Sequence, residues 1–231
     1  MLKRVLEIVI VVAWAGTVAW ADDFWDEKNF LEWNNKELRK MTTNSPWAKR
    51  VEVKVGNGEV FSLAPATESI AARDMTTVGS GGSGSFNKGS ATPRISLFVM
   101  WQGALPLKKA VVKSQVGNSN EVTAEQQEFL DREEEHYIVV LGSVPPDLAR
   151  AFENLEGVEE KISLDRKGKN RILLWEIRVQ AMAGEVHFLF PKTDAISVDD
   201  KDVELNVDMD GLRFKKKFKL KDMVIDGKLE L

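Results

Sequence analysis

The sequence predicts an α+β fold: a largely antiparallel sheet of hairpins, three or four helices grouped in the middle of the chain, and a three-strand meander at the C-terminal end. Three observations carry this. Strand-like segments follow one another through short turns, helix-like segments with capping residues sit together between them, and residues 203–231 show the clearest period of two in the chain. Strands in runs with helices set apart are the mark of helices on an antiparallel sheet.

In chain order, residues 22–30 are acidic and aromatic and read as an arm or short helix. Asn34 with Glu37 forms a capping box for a short helix carrying Leu38 and Met41, which must stop by Asn44-Ser45-Pro46. Residues 50–55 alternate, and Gly56-Asn57-Gly58 would fold them back, setting Val53 against Phe61 and Val51 against Leu63. Residues 64–94 contain GSGGSGS and read as a flexible loop. A dense apolar run at 95–101 suits a buried strand. Leu105-Pro106 opens a helix with Leu107, Ala110 and Val111 on one side, and Thr123 with Gln126 caps another reaching Glu135. Residues 137–141 are a second buried strand, and Pro145-Pro146-Asp147 starts a helix stopped by Gly157. Leu173, Trp175, Ile177, Val179 and Ala181 alternate, and a turn at Ala183-Gly184 would face Val186, Phe188 and Phe190 with Ala181, Val179 and Ile177.

In the closing stretch, Asp210-Gly211 supplies the positive φ of a two-residue turn. Met209 then faces Leu212, Val207 faces Phe214, Leu205 faces Lys216 and Val203 faces Phe218. The apolar phase flips after Leu220, so a second turn at Lys221-Asp222 is expected, pairing Phe218 with Ile225 and placing inward-facing Lys216 opposite Gly227. There the Lys216 stem would cover the glycine and its ammonium would snorkel to the sheet margin. The competing arrangement is a bulge at Lys221-Asp222 with a later turn at Asp226-Gly227.

Residues 1–21 read as an export signal. Lys3 and Arg4 precede a twelve-residue apolar run at 8–19, and Ala19-Trp20-Ala21 forms a cleavage signature. The run is shorter than the roughly 20 residues that span a bilayer, although an uncleaved N-terminal anchor is the other reading. With no cysteine in the chain, disulfides, thiolate catalysis and Cys-ligated metal are excluded. Without Lys3, Arg4 and Glu7, the basic side chains fall from 32 to 30 and the acidic from 36 to 35, a net charge of −5. This acidity argues against nucleic acid as a partner. The expectation is an exported protein, periplasmic or extracellular, organised as a signal (1–21), a helix and hairpin (22–63), the Gly/Ser loop (64–94) and an α+β core (95–231), with 22–231 forming one domain.

Several stretches carry a family likeness: Trp33 and the helix running into Ser45-Pro46-Trp47-Ala48-Lys49, Ala104-Leu105-Pro106, residues 188–191 (FLFP), residues 218–223 (FKLKDM) and residues 227–231 (GKLEL). On these the chain resembles a family of uncharacterised exported bacterial proteins. The resemblance implies export and a shared architecture over most of residues 22–231. It brings no activity, cofactor or catalytic residue.

The remaining motifs are weighed by their context. Residues 79–84 match the dinucleotide fingerprint G-x-G-x-x-G without the strand, helix or acidic residue that its chemistry needs. Residues 206–211 match half of a calcium loop, but Lys217 stands where the bidentate carboxylate belongs. His136 and His187 have no metal-ligand spacing and read as surface histidines, so no metal, cofactor or catalytic residue is assigned. The tryptophans could stack on sugars or anchor partners; their apolar surroundings favour core packing. Arg213, Lys215, Lys217, Lys219 and Lys221 share one face of the closing hairpin, a candidate anion-binding surface, with Glu204, Asp208 and Glu230 placed to neutralise part of it. The function read from these features is a non-catalytic envelope domain that binds a partner protein or small ligand. The alternative is an envelope hydrolase using carboxylate or histidine acid/base chemistry.

Overall fold

The computed structural model describes residues 24–54, 94–119, 121–153 and 155–231. The signal segment, the expected return strand at Phe61 and Leu63, and the Gly/Ser loop up to residue 93 lie outside the described residues. The helices are α1 (Phe24–Glu27), α2 (Asn35–Thr43), α3 (Leu105–Val116), α4 (Ala124–Asp131) and α5 (Pro146–Ala151). The strands are β1 (Ala48–Lys54), β2 (Arg94–Trp101), β3 (His136–Gly142), β4 (Ile162–Asp165), β5 (Ile172–Leu173), β6 (Glu176–Gln180), β7 (Glu185–Pro191), β8 (Asp202–Met209), β9 (Leu212–Lys219), β10 (Val224–Ile225) and β11 (Lys228–Leu229). The fold is α+β with antiparallel sheets of hairpins, as the pattern predicts.

Two sheets make the frame, β1-β2-β3-β7-β6 and β5-β4-β8-β9, and every pairing is antiparallel. They are joined because residues 172–180 serve both: Ile172 and Leu173 pair with β4, and Glu176 onward pairs with β7. The junction is hydrogen-bonded to each side, with the Leu174 N–H donating to Ile162 O at 3.1 Å and the Trp175 N–H to Leu189 O at 2.9 Å. At the opposite margin β9 lies alongside β1, and the Lys216 ammonium donates to Arg50 O at 2.7 Å. The two sheets thus form a nearly closed antiparallel barrel. Its interior is one apolar cluster, with Leu97, Val139, Phe188, Phe190, Leu205 and Phe218 fully enclosed. Closure covers sheet edges that would otherwise expose unpaired backbone.

Local signals explain most elements. Asn34 and Thr123 cap α2 and α4 with Glu37 and Gln126 returning the bond, both complete capping boxes. The second helix stops at Asp131, four residues earlier than the apolar pattern suggests, because the Arg132 backbone is extended. α3 has no side-chain cap of its own; the Glu230 carboxylate accepts from the Leu105 N–H at 3.2 Å, and the Trp47 indole donates to Glu230 O at 2.9 Å. Residue 230 therefore fastens the C-terminal end to Trp47, just before β1, and to α3, not to the outer face of β9 as expected.

The β8–β9 hairpin has the expected register, from Met209↔Leu212 to Val203↔Phe218. Beyond it the chain departs from a third paired strand. Residues 220–223 wind into a 3-10 turn that buries Leu220 and Met223, and the chain then folds on itself as β10–β11. Asp226 and Gly227 have φ of 49° and 78°, so the turn that forms is the later one. Lys216 consequently does not cover Gly227, which has open space where a Cβ would be; its ammonium is spent on the seam with β1. The β6–β7 register is shifted by two residues, to Val179↔Val186 and Ile177↔Phe188, since Ala181–Ala183 form a 3-10 turn and lengthen the loop. A short strand, β4, had no clear signal in the sequence and is the element that joins β5 to β8.

Lys216 is half-buried and its bond carries a formal charge, so Lys216→Met should destabilise the fold by about 1 kcal/mol. Urea unfolding at neutral pH measures this. A more stable Met variant would mean that packing alone holds the β1–β9 seam.

Candidate functional site: a lysine-rimmed hollow on the outer sheet face

The β8–β9 ladder turns alternate side chains outward, and the five cations expected to share a face divide into two groups. Arg213 is neutralised by Asp208 at 2.8 Å and Lys215 by Glu204 at 3.8 Å. Lys217, Lys219 and Lys221 are exposed and have no carboxylate within ion-pair distance among the described residues. Lys217 and Lys219 belong to β9, whereas Lys221 lies in the following 3-10 turn. The sheet therefore leaves a free cationic end and a neutralised end.

The free end faces a hollow of about 730 Å³, with Lys217 and Glu204 on its floor. Its walls are the β4–β5 turn, bearing Arg166, Lys167 and Lys169, and the segment 199–202. A smaller hollow of about 290 Å³ adjoins it, lined by Val198, Lys201, Asp202, Lys219 and Lys221. Lys201 and Asp202 border both. Together the two hollows carry seven basic side chains to five acidic ones, and Lys167, Lys201, Lys217, Lys219 and Lys221 are the ones without a carboxylate partner among the described residues.

Beneath the rim is an ionic frame built on two enclosed side chains, Arg166 and Asp200, with Asp194 and Lys169 reaching them from the surface. The Arg166 side chain is fully enclosed and grips the Asp194 carboxylate with both terminal nitrogens. It also donates to Ala195 O and Asn170 O, both at 3.3 Å, and lies 3.6 Å from Asp200. Asp200, whose side chain is 2% exposed, receives Lys169 at 2.6 Å and the Ser197 N–H at 3.0 Å. Burial alone would raise the Asp200 carboxyl, but Lys169, the Ser197 amide and Arg166 hold it below the ordinary aspartate range. The frame fixes the loop that carries Lys201, which adopts φ 63° and ψ −55°, a conformation strained for a residue with a side chain. The Lys201 carbonyl is held there by the Leu220 N–H at 2.9 Å.

The other candidates lie elsewhere. A hollow of about 530 Å³ beside α3 and α4 is lined by Lys108, Glu134 and Lys192 among others. Its enclosed Lys108 is already committed to Glu134 at 3.0 Å. His187 is on the outer face, as the alternation requires, but covered, with its Nε2 3.0 Å from Glu185. His136 is half-buried and stacks on Trp175. No cluster of three or more His, Asp or Glu able to hold a metal occurs among the described residues. Trp25, Trp33, Trp47 and Trp101 are core residues, but Trp175 is 67% exposed, against expectation.

Sequence reasoning found Lys217, Lys219 and Lys221 through alternation alone. It missed Arg166, Lys167, Lys169, Asp200 and Lys201, which join the site through the β4–β8 pairing and the 3-10 turn at Val198–Asp200. The run Arg166-Lys167-Gly168-Lys169 was the available signal, a basic tract around a turn glycine with φ 76°. Chemically the hollow offers fixed cations on a rigid floor, suited to holding an anion. No protein-family model, curated protein or solved structure matches this chain.

Arg166 keeps Asp194 when Asp200 is removed, so the loss is that of the charge-assisted bonds Asp200 accepts, and Asp200→Asn should cost about 2 kcal/mol at pH 7. Because the folded Asp200 carboxyl lies below its unfolded value, its contribution is present above about pH 3.9 and lost as the pH falls through the lowered value. The variant should therefore show a shallower acid limb in denaturation measured from pH 6 to pH 2. Lys201→Gly should relieve backbone strain and raise stability by about 1 kcal/mol, read in the same unfolding experiment.

Proposed function

We propose that this chain is an exported, non-catalytic binding domain of the cell envelope whose ligand is an extended anion, an acidic glycan in the first instance. The observation that carries the reading is the division of the cation row: Arg213 and Lys215 are paired, while Lys217, Lys219 and Lys221 have no carboxylate partner among the described residues and gather with Lys167 and Lys201 around one pair of hollows. Lys217 and Lys219, alternate residues on β9, lie about 6.6 Å apart along the strand, a spacing that suits successive charges along a polymer better than one small anion. Five ammonium groups with no carboxylate partner among the described residues, on a molecule of net negative charge, also give a local field that draws anions to this face. The export signature supports an envelope ligand, and no helix among the described residues is long and apolar enough to cross a membrane.

The test is binding of polygalacturonate and dextran sulfate, followed by calorimetry at several salt concentrations. Lys217→Gln/Lys219→Gln/Lys221→Gln should weaken binding at least tenfold and flatten its salt dependence. Arg213→Gln/Lys215→Gln, which removes charges already neutralised, should change it less than threefold. Equal losses from the two variants, or no binding of either polymer, would defeat the proposal. Binding of phosphatidylglycerol vesicles in place of both polymers would move the ligand to a lipid surface.

A further inference from the structure

Four of the five described tryptophans are at most 7% exposed, and Trp175 is 67% exposed. Its position explains the difference. Ile172 and Leu174 point into the barrel, and farther along Ile177 and Val179 do, so the alternation changes phase where the strand passes from one sheet to the other. Strands that switch sheets do so through such irregularities. The phase change turns the Trp175 indole outward while its backbone stays pinned to Leu189 O.

The outward indole is held, not loose. It stacks on the His136 imidazole with ring centroids 6.4 Å apart and planes inclined by 22°. Beside it, Arg178 grips the Glu176 carboxylate through two bonds of 2.8 and 2.9 Å. The Glu176 carboxyl is held below its ordinary range by the bond from Arg178, with a smaller contribution from His136, which places the imidazole near this pair as well. A flat, oriented aromatic surface with a fixed carboxylate and guanidinium at its side is thus presented to solvent. Its apolar extent is small: among the described residues Leu173, 40% exposed, is the other large apolar side chain exposed here, while Met182 is at the far end of β6. A protein interface needs on the order of 800 Å² from each partner with an apolar centre, which two side chains ringed by ions do not supply.

We propose that Trp175 is a stacking platform for a neutral carbohydrate ring, with Glu176 and Arg178 receiving its hydroxyl groups. A pyranose has an apolar C–H face to lie on the indole and hydroxyls at its rim to meet a carboxylate and a guanidinium. This matches the size of the platform and its polar border. The site is separate from the lysine-rimmed hollow and does not rest on it.

The test is sedimentation of the full chain with insoluble chitin, cellulose and starch in 0.5 M salt, which screens the lysine face and so separates this site from the anionic one. Binding to at least one polymer is expected, with a tenfold or larger loss in Trp175→Ala and partial retention in Trp175→Phe, all three proteins unfolding at the same urea concentration. A soluble oligomer of the bound polymer, such as chitotetraose, should protect wild-type fluorescence from acrylamide, because Trp175 is the exposed indole among the described residues. No binding to any of the three polymers, or undiminished binding by Trp175→Ala, would overturn the proposal. So would loss of self-association in Trp175→Ala with no change in polymer binding, an outcome that would make the indole a protein contact.

Discussion

A sheet whose inner face carries Phe188, Phe190, Leu205 and Phe218 must close over them or leave them wet. This chain closes its sheet by making residues 172–180 serve two ladders. The cost is local: the alternation changes phase between Leu174 and Ile177, and Trp175 faces water. The other margin closes differently. β1 and β9 run side by side, and the Lys216 ammonium bonds the Arg50 carbonyl across the seam. Burial depresses the neighbouring Lys49 ammonium, and Lys216 and Lys219 push it the same way against Asp222, so the seam is also where like charges crowd. Its closure is a balance of one charge-assisted bond against that crowding.

Closure also decides which face can bind. With the apolar side of every strand turned inward, ligand contacts must come from outward side chains and from the turns that overhang them. The enclosed Arg166 and Asp200, with the half-exposed Asp194, fix the overhang, while the lysines above them keep their charges free. Buried ion pairs are weak evidence for stability, since desolvation offsets most of their attraction. Their value here is geometric: the network holds Lys201 in a backbone conformation that an isolated lysine would leave.

The parts legible in the sequence are those set by neighbours close along the chain. The β8–β9 register follows from strict alternation and Asp210-Gly211, and the two capping boxes follow from residue pairs three apart. The parts that were not legible depend on distant partners. β4 has four residues, too few for a period to show, and exists because β5 and β8 flank it. The pairing of β10 with β11, in place of a third strand on β9, turns on the burial of Leu220 and Met223 in a 3-10 turn. Trp175 lies in an alternating run whose phase changes at the junction between sheets, which the sequence does not mark. For the same reason alternation identified Lys217, Lys219 and Lys221, whereas Arg166, Asp200 and Lys201 come to the site through strand pairing.

The central claim is that the sheet neutralises one end of its cation row and leaves the other free to hold an anion. Reductive methylation of lysines with and without dextran sulfate, read residue by residue by mass spectrometry, tests it most directly. The account predicts protection concentrated at Lys167, Lys201, Lys217, Lys219 and Lys221, with Lys215 unchanged. Protection spread evenly over surface lysines, or centred on Lys215, would contradict it.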